Sequence, residues 1–368
     1  MALKSMGVKG FKSIRELEFE VRDLNVLIGA NGSGKSNFIQ LFALLNAIIE
    51  QRLGAYSAQA GAENLLYFGS KQTSSIHLDL RFDGQRLSLE NGYSCTLVAN
   101  DEDKLTFQRE YTFLHDRERY GAGRKKLISS DAAETQLFVV SERTNVRNEA
   151  DYIIEALRSW RVYHFHDTSS SAQVKKTGHI DDNEALRADA SNLAAFLYRL
   201  RETQVPYYQR IVAAVQSVAP FFADFRLRPN PLNPDTIRLE WREKGSDSYF
   251  NANMLSDGTL RYICLATLLL QPVYPSVIVI DEPELGLHPY AIQRLMGLLR
   301  TAAASTQVIV STQSVPLVNQ CMPEDLVIVE REDAQSIFRR LQPDALDTWL
   351  EEYALGDAWE KNLLGGRP

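Results

Sequence analysis

A chain of 368 residues can bury a large core in one large domain or two lobes, and its 40 Lys and Arg against 47 Asp and Glu leave a net charge of −7. That balance argues against a general polyanion binder while allowing a local basic surface. No run approaches the roughly 18 apolar residues of a membrane span, MALKSMGVKGFKS lacks the apolar centre of a secretion signal, and Cys95, Cys264 and Cys321 form no CxxC pair, so a soluble cytoplasmic chain with buried free thiols is expected.

In chain order, LEFEV alternates apolar and polar residues, and LNVLIGA is nearly continuously apolar, as a buried strand would be. After NGSGKSN, the residues Phe38, Leu41, Leu45 and Ile48 recur at helical spacing. The second half of YSAQAGAENLLYFGSKQTSS is loop-like. Residues 75–113 read as a β-meander of SIHLDLRFD, RLSLE, YSCTLVA and KLTFQREYTF, separated by DGQ, NG and NDED turns. HDRERYGAGRKK reads as a basic, Gly-containing loop. A helix around 150–160, a strand RVYHFH and the polar stretch DTSSSAQVKKTGHIDDNE follow.

The pattern then turns helical. Leu186, Ala190, Leu193, Leu197 and Leu200 make one stripe, and Tyr208, Ile211, Val215 and Val218 another. PNPLNPDTIRLEWRE predicts a turn into a strand with Ile237, Leu239 and Trp241 on one face. From 255 onward come a helix, the strand SVIVID, a helix, and the strands TQVIVSTQ and LVIVER. This alternation predicts an α/β fold with a parallel sheet. A last helix is expected to carry Leu346, Trp349, Leu350 and Tyr353 on one side, ahead of the tail WEKNLLGGRP.

GANGSGKS, Gly29 to Ser36, fits the pattern GxxxxGK[ST] in full, between a buried strand and an amphipathic helix. Its glycines let backbone N–H groups close on phosphates, and the helix N-terminus adds positive potential. Lys35 would reach the β- and γ-phosphates and Ser36 would ligate Mg²⁺. In VIVIDEPE, four apolar residues carry Asp281 to the end of a strand where open α/β sheets bind ligands. Asp281 is then the second metal residue, and Glu282 the base for an attacking water. At the end of VIVSTQSVPL, one of Ser311, Thr312, Gln313 and Ser314 can sense the γ-phosphate, although Thr312 and Ser314 serve equally well as ordinary strand-end and capping residues.

The order of phosphate loop, long insertion, LSDGT on a helix, IDEPELGLHP and STQS resembles the ABC-type ATPase heads, in particular the RecF, SMC and OLD-like branch. GFKSI ahead of the first strands is similar to that branch. HFHDTSSSA, NLAAFLYRL and WEKNLLGGRP resemble compact bacterial predicted AAA-family ATPases associated with phage-defence loci. The resemblance implies a P-loop NTPase with a mixed or parallel core sheet, an antiparallel β-meander and a helical lobe. Residues 1–160 and 271–345 would form a nucleotide-binding lobe, 161–270 a mainly helical lobe, and 346–368 a terminal helix and tail. It further implies that Gly29, Ala30, Asn31, Gly32, Ser33, Gly34, Lys35, Ser36 and Asn37 cradle ATP. Leu285 to His288 would match a loop lying across a homodimer interface. Ser256 and Gly258 would contact the γ-phosphate held by the opposite subunit. Lys35, Glu282 and Gln313 are the expected catalytic set.

The chain departs from the family where Asp257 and Thr259 replace Gly and Gln of LSGGQ, and where Gln313 replaces the switch His. Asp257 is expected to turn from the phosphate and cap its own helix. The glutamine that couples the lobes has no clear counterpart, with His166–Asp167 and Gln173 as the candidate places. His164 and His166 share a strand face, a pattern more common in packing than in metal sites. No heptad pattern persists, and the 55 residues after Gln313 leave no room for the nuclease domain that OLD nucleases append. An ATP-gated dimeric switch acting on a separate effector protein is therefore the leading expectation. Direct DNA handling through Arg117–Arg119, Arg124 to Lys126, Arg143 and Arg147 is the alternative. A transporter motor with a membrane partner, and a scaffold with a dead site, fit less well.

Overall fold

The computed structural model describes residues 2–84, 88–118, 122–143, 146–341 and 354–366. Strands β1 (Leu3–Phe11) and β2 (Ile14–Glu20) form a hairpin whose turn places Lys12 at φ 50°. Strand β3 (Leu24–Ile28) is buried throughout and runs into the glycine loop and helix α1 (Lys35–Ile49). Two short helices, α2 (Leu53–Ala60) and α3 (Ala62–Leu65), lead to β4 (Ile76–Asp83), β5 (Leu89–Ala99), β6 (Leu105–Asp116) and β7 (Arg124–Ala132). With the hairpin these make an antiparallel sheet in the order β2-β1-β4-β5-β6-β7.

Two expectations fail here. The NG pair at 91–92 is no turn. Asn91 and Gly92 lie inside β5, paired with Phe82 and Arg81, and both are buried. A Cβ at Gly92 would lie 2.9 Å from the Leu80 carbonyl, so the glycine serves close strand packing. Likewise Arg124, Lys125 and Lys126 are not loop residues but open β7, the sheet's outer strand. Lysine on an exposed edge opposes unwanted strand addition.

Helices α4 (Leu137–Glu142) and α5 (Glu149–Arg158) follow, the latter started by a reciprocal cap between Asn148 and Asp151. Of RVYHFH only β8 (Arg161–Tyr163) is strand. Strand β9 (Gly178–His179) pairs with β11 (Thr236–Ile237). Helix α6 (Leu193–Thr203) is shorter than its apolar stripe, since Leu186 and Ala190 are buried in turns ahead of it. Helix α7 (Val205–Val218) then runs into β10 (Phe222–Phe225), which joins β12 (Glu240–Glu243) and β13 (Tyr249–Asn251). The strand predicted across Ile237, Leu239 and Trp241 is thus broken between two small sheets, although all three side chains are buried.

Helix α8 (Asp257–Leu269), β14 (Val277–Asp281), α9 (Pro289–Ala303), β15 (Gln307–Thr312), α10 (Val315–Val318), β16 (Leu326–Glu332), β17 (Gln335–Arg340) and α11 (Leu355–Glu360) complete the described chain. The core sheet has the order β17-β16-β3-β15-β14-β8, parallel except for β17. Its residues alternate between two cores. Val26, Ile28, Ile278, Ile280, Val308 and Val310 face α6 to α9, while Leu27, Val277, Val279 and Ile309 face α1, α5 and the antiparallel sheet. The helix expected at Leu346–Tyr353 falls outside the described residues. Among those described, no helix is long and apolar enough to cross a membrane.

Candidate functional site

The glycine loop is shaped by its neighbours. Gly29 has φ 159° and Gly34 φ 116°; a Cβ on Gly29 would meet the Val329 carbonyl at 2.1 Å, and one on Gly34 the Ser336 hydroxyl at 2.0 Å. These two glycines let strands β16 and β17 close on the loop. Gly32 differs, because a side chain there would meet nothing within 4 Å, so its freedom faces open space. Lys35 is buried and folds back, donating from Nζ to the carbonyls of Gly29 (2.6 Å) and Ala30 (3.0 Å). Burial lowers its pKa, opposed by the negative charges of Glu282, Asp281 and Glu284. Ser36 is exposed at the helix start, as are Asn31 and Gly32.

Asn37 does something the sequence did not suggest. Its Nδ2 donates to Ser13 Oγ (2.7 Å), which shares a hydrogen bond with Ser336 Oγ (2.7 Å), and Ser336 Oγ donates to the Ser33 carbonyl (2.6 Å). The side chain of Asn37 is therefore spent on bracing the loop. Ser13 of GFKSI is the link, which gives that motif a physical role.

Opposite the loop, β14 and β15 end in register, with Asp281 beside Ser311. Three acids meet three donors here. Ser311 Oγ donates to Asp281 Oδ1, Thr312 Oγ1 to Glu284 Oε1, and Gln313 Nε2 to Glu282 Oε1 (2.5 Å). Glu282 sits at φ 42°, a strained position for a residue with a side chain, and its N–H donates to the Ser311 carbonyl (2.9 Å). Glu284 is buried, and burial pushes its carboxyl up with help from the Glu282 charge. Its Oε2 has no hydrogen-bond partner. Neither Glu284 nor Thr312 stood out as part of an acid site, because spacing alone does not show which carboxylate turns inward.

At the signature turn, Ser256 is the N-cap of α8. Its Oγ accepts from the Thr259 N–H (3.2 Å) and shares a hydrogen bond with Thr259 Oγ1 (2.8 Å). The expected cap by Asp257 is wrong. Asp257 lies in the first turn and pairs instead with Lys175 (3.6 Å), a lysine of the polar stretch after β8 whose side chain is almost wholly buried. Gly258 is needed within its own chain, since a Cβ there would stand 2.4 Å from the Gly286 carbonyl. Arg261, also unforeseen, reaches from α8 to three carbonyls: Phe165 (2.9 Å), His166 (3.0 Å) and Leu285. His288 caps α9, with Nδ1 accepting from the Tyr290 N–H.

His166 donates from Nε2 to the Asp281 carbonyl (2.8 Å), so this strand end reaches the acid site, whereas Gln173 opens an exposed turn. The rings of His164 and His166 are 6.1 Å apart, and among the described residues no group of three or more His, Cys, Asp or Glu is arranged to hold a metal. A Mg²⁺ ion fits a different pattern, one or two protein oxygens completed by phosphate and water, and Ser36 with Asp281 offers such oxygens. A phosphate chain fits the loop on two observations: the open space at Gly32, and the Ser33 hydroxyl, buried without a hydrogen-bond partner. Three of the basic residues are engaged within the chain. Arg117 pairs with Glu90, Arg147 with Glu155, and Lys125 lies 4.4 Å from the Tyr111 ring centre. Arg119 falls outside the described residues.

Over 46 residues the chain is 48% identical to a curated Geobacter sulfurreducens protein named "Putative ABC transporter ATP-binding protein", a match spanning 12% of this chain and 18% of that relative's length. Among solved structures it is similar to an SMC head bound to the C-terminal winged-helix domain of ScpA, with TM-score 0.59, 16% identity and coverage of 95% of this chain and all of that one. It is also similar to a Pyrococcus furiosus SMC head with an extended coiled coil, bound to the C-terminal domain of ScpA, with TM-score 0.53, 17% identity and coverage of 95% and 99%. The fold is that of an ABC-type head. A family model described as "AAA domain, putative AbiEii toxin, Type IV TA system" matches residues 24–319, most of the chain, and the protein belongs to that family of P-loop ATPases.

Proposed function

We propose that this chain hydrolyses ATP and closes on a second copy of itself, and that the closed state is sensed by a separate effector protein in anti-phage defence. The observation that carries the reading is that the sheet sets the loop of Lys35, after β3, at the same edge as the ends of β15 and β14, so that the negative charges of Asp281, Glu282 and Glu284, about 250 positions away, act on Lys35. Glu282, turned by its backbone and held by Gln313, is the base that takes a proton from the attacking water. Lys35 leaves the Gly29 and Ala30 carbonyls to meet the phosphates. Ser36 and Asp281 would hold Mg²⁺, which supplies charge neutralisation at the β- and γ-oxygens.

The case for a second copy rests on the signature face. Ser256 is exposed, and Met254, Leu285 and Tyr290 are 64%, 48% and 46% exposed around the Gly258–Gly286 contact. Large exposed apolar side chains on the segments flanking that contact favour a protein partner over water. Ser256 and Gly258 would then face the γ-phosphate of the opposite subunit, with Gln313 sensing the same group from within. The family's description and the ScpA-bound SMC heads support a separate protein partner. Direct DNA binding has less support, since Arg117 and Arg147 are paired with acids of their own chain.

Glu282→Gln should bind ATP without turning it over and accumulate as a dimer, visible by light scattering on a size-exclusion column. A variant that stays monomeric at saturating ATP would remove the composite site from the proposal.

A further inference from the structure

We propose that Glu284 is a positioning residue that sets the γ-phosphate sensor, acting through the Thr312–Gln313 turn; this rests on the nucleotide reading given above. The geometry has three parts. First, the Glu284 side chain points inward from the loop after β14, is only 8% exposed, and accepts from Thr312 Oγ1. Second, Thr312 Oγ1 in turn accepts from the Ser314 N–H (2.9 Å). Third, Gln313 reaches Glu282 from this same turn. One carboxylate therefore braces a turn between a parallel strand and a short helix, holding Thr312 directly and Ser314 through it, and the residue between them carries the amide that meets the base.

A buried acid is often half of an ion pair, but among the described residues no lysine or arginine makes a salt bridge with Glu284. Its partner Thr312 lies at the end of β15, which makes the turn itself the thing it holds. A carboxylate in a packed interior is costly unless its hydrogen bonds do something a neutral side chain would not. Holding the Thr312 hydroxyl at a fixed angle does so, since a small error in the position of the adjacent Gln313 amide removes a directional hydrogen bond.

The test measures equilibrium binding of ADP and of the imido analogue of ATP, with Mg²⁺, to the full chain. Wild type should prefer the triphosphate. Glu284→Ala should lose about tenfold in affinity for the triphosphate, as expected for one lost hydrogen bond to a phosphate, and stay within about twofold for ADP. Gln313→Ala should do the same, and the double variant should be no worse than Gln313→Ala alone. Glu284→Gln keeps an acceptor for Thr312 and should restore the preference. Should Glu284→Ala fail to fold, Thr312→Val cuts the same link and should show the same loss. Equal weakening of both nucleotides, multiplicative losses in the double variant, or a wild type that does not distinguish the two nucleotides would each overturn the proposal. Hydrolysis is scored separately, by phosphate release from wild type against Lys35→Ala, so a dead ATPase and an idle Glu284 give different results.

Discussion

Arg261 offers the sharpest test of how the signature helix is held. Its guanidinium joins α8 to the end of the β8 segment at Phe165 and His166, and to Leu285 in the loop after β14. Replacing it with Met keeps most of the apolar stem while deleting all three hydrogen bonds. Only Phe165 is buried; His166 and Leu285 are exposed, so their carbonyls can turn to water. One buried bond to a charged donor is worth about 1.5–3 kcal/mol and the two wetter ones less, so relief of the buried charge leaves a net loss of roughly 3 kcal/mol. At about 2.1 cal/mol/K per residue, a chain of this length loses about 1.3 °C per kcal/mol, and Arg261→Met should melt roughly 4 °C lower without nucleotide. Arg261→Lys, with a point charge in place of a fork, should fall between. The assay is a thermal melt of the nucleotide-free chain, paired with ATP turnover, which should fall in the same order. A Met variant melting within about 1 °C of wild type, or a Lys variant equal to it, would refute the three-way clamp.

Two further substitutions separate packing from ligand contact. Gly258→Ala places a methyl against the Gly286 carbonyl and should cost about 1–3 kcal/mol even without nucleotide, read as a lower melting temperature. Unchanged nucleotide-free stability with loss only of the ATP response would show that Gly258 matters to the partner alone. Ser13→Ala cuts the link between Asn37 and Ser336 and should cost about 1–2 kcal/mol while weakening nucleotide binding several-fold in an equilibrium titration; no change in either would show that the loop needs no such brace.

The strongest sequence signals were those whose chemistry needs contiguous residues. GANGSGKS between a buried strand and a helix, and VIVIDE at a strand end, can be read locally, because backbone wrapping around a phosphate and the burial of a parallel strand both leave short patterns. The NG pair misled because turn propensity assumes solvent, and a glycine buried between Arg81 and Phe113 answers to cross-strand packing instead. Leu186 and Ala190 continued a helical stripe without being helical, since burial in a turn and burial on a helix produce the same residue types.

What the sequence determined by itself was the set of elements around the nucleotide loop and the acidic strand end. Only the tertiary structure decided which side chains meet across them. Asn37 turned to Ser13, Asp257 to Lys175, Arg261 to three carbonyls, and Ser311, Thr312 and Gln313 each to a different acid. The physical reason is that a hydrogen bond depends on distance and angle between groups far apart in the chain. No local spacing encodes that geometry until the sheet brings β14 beside β15 and the loop of Lys35 against both.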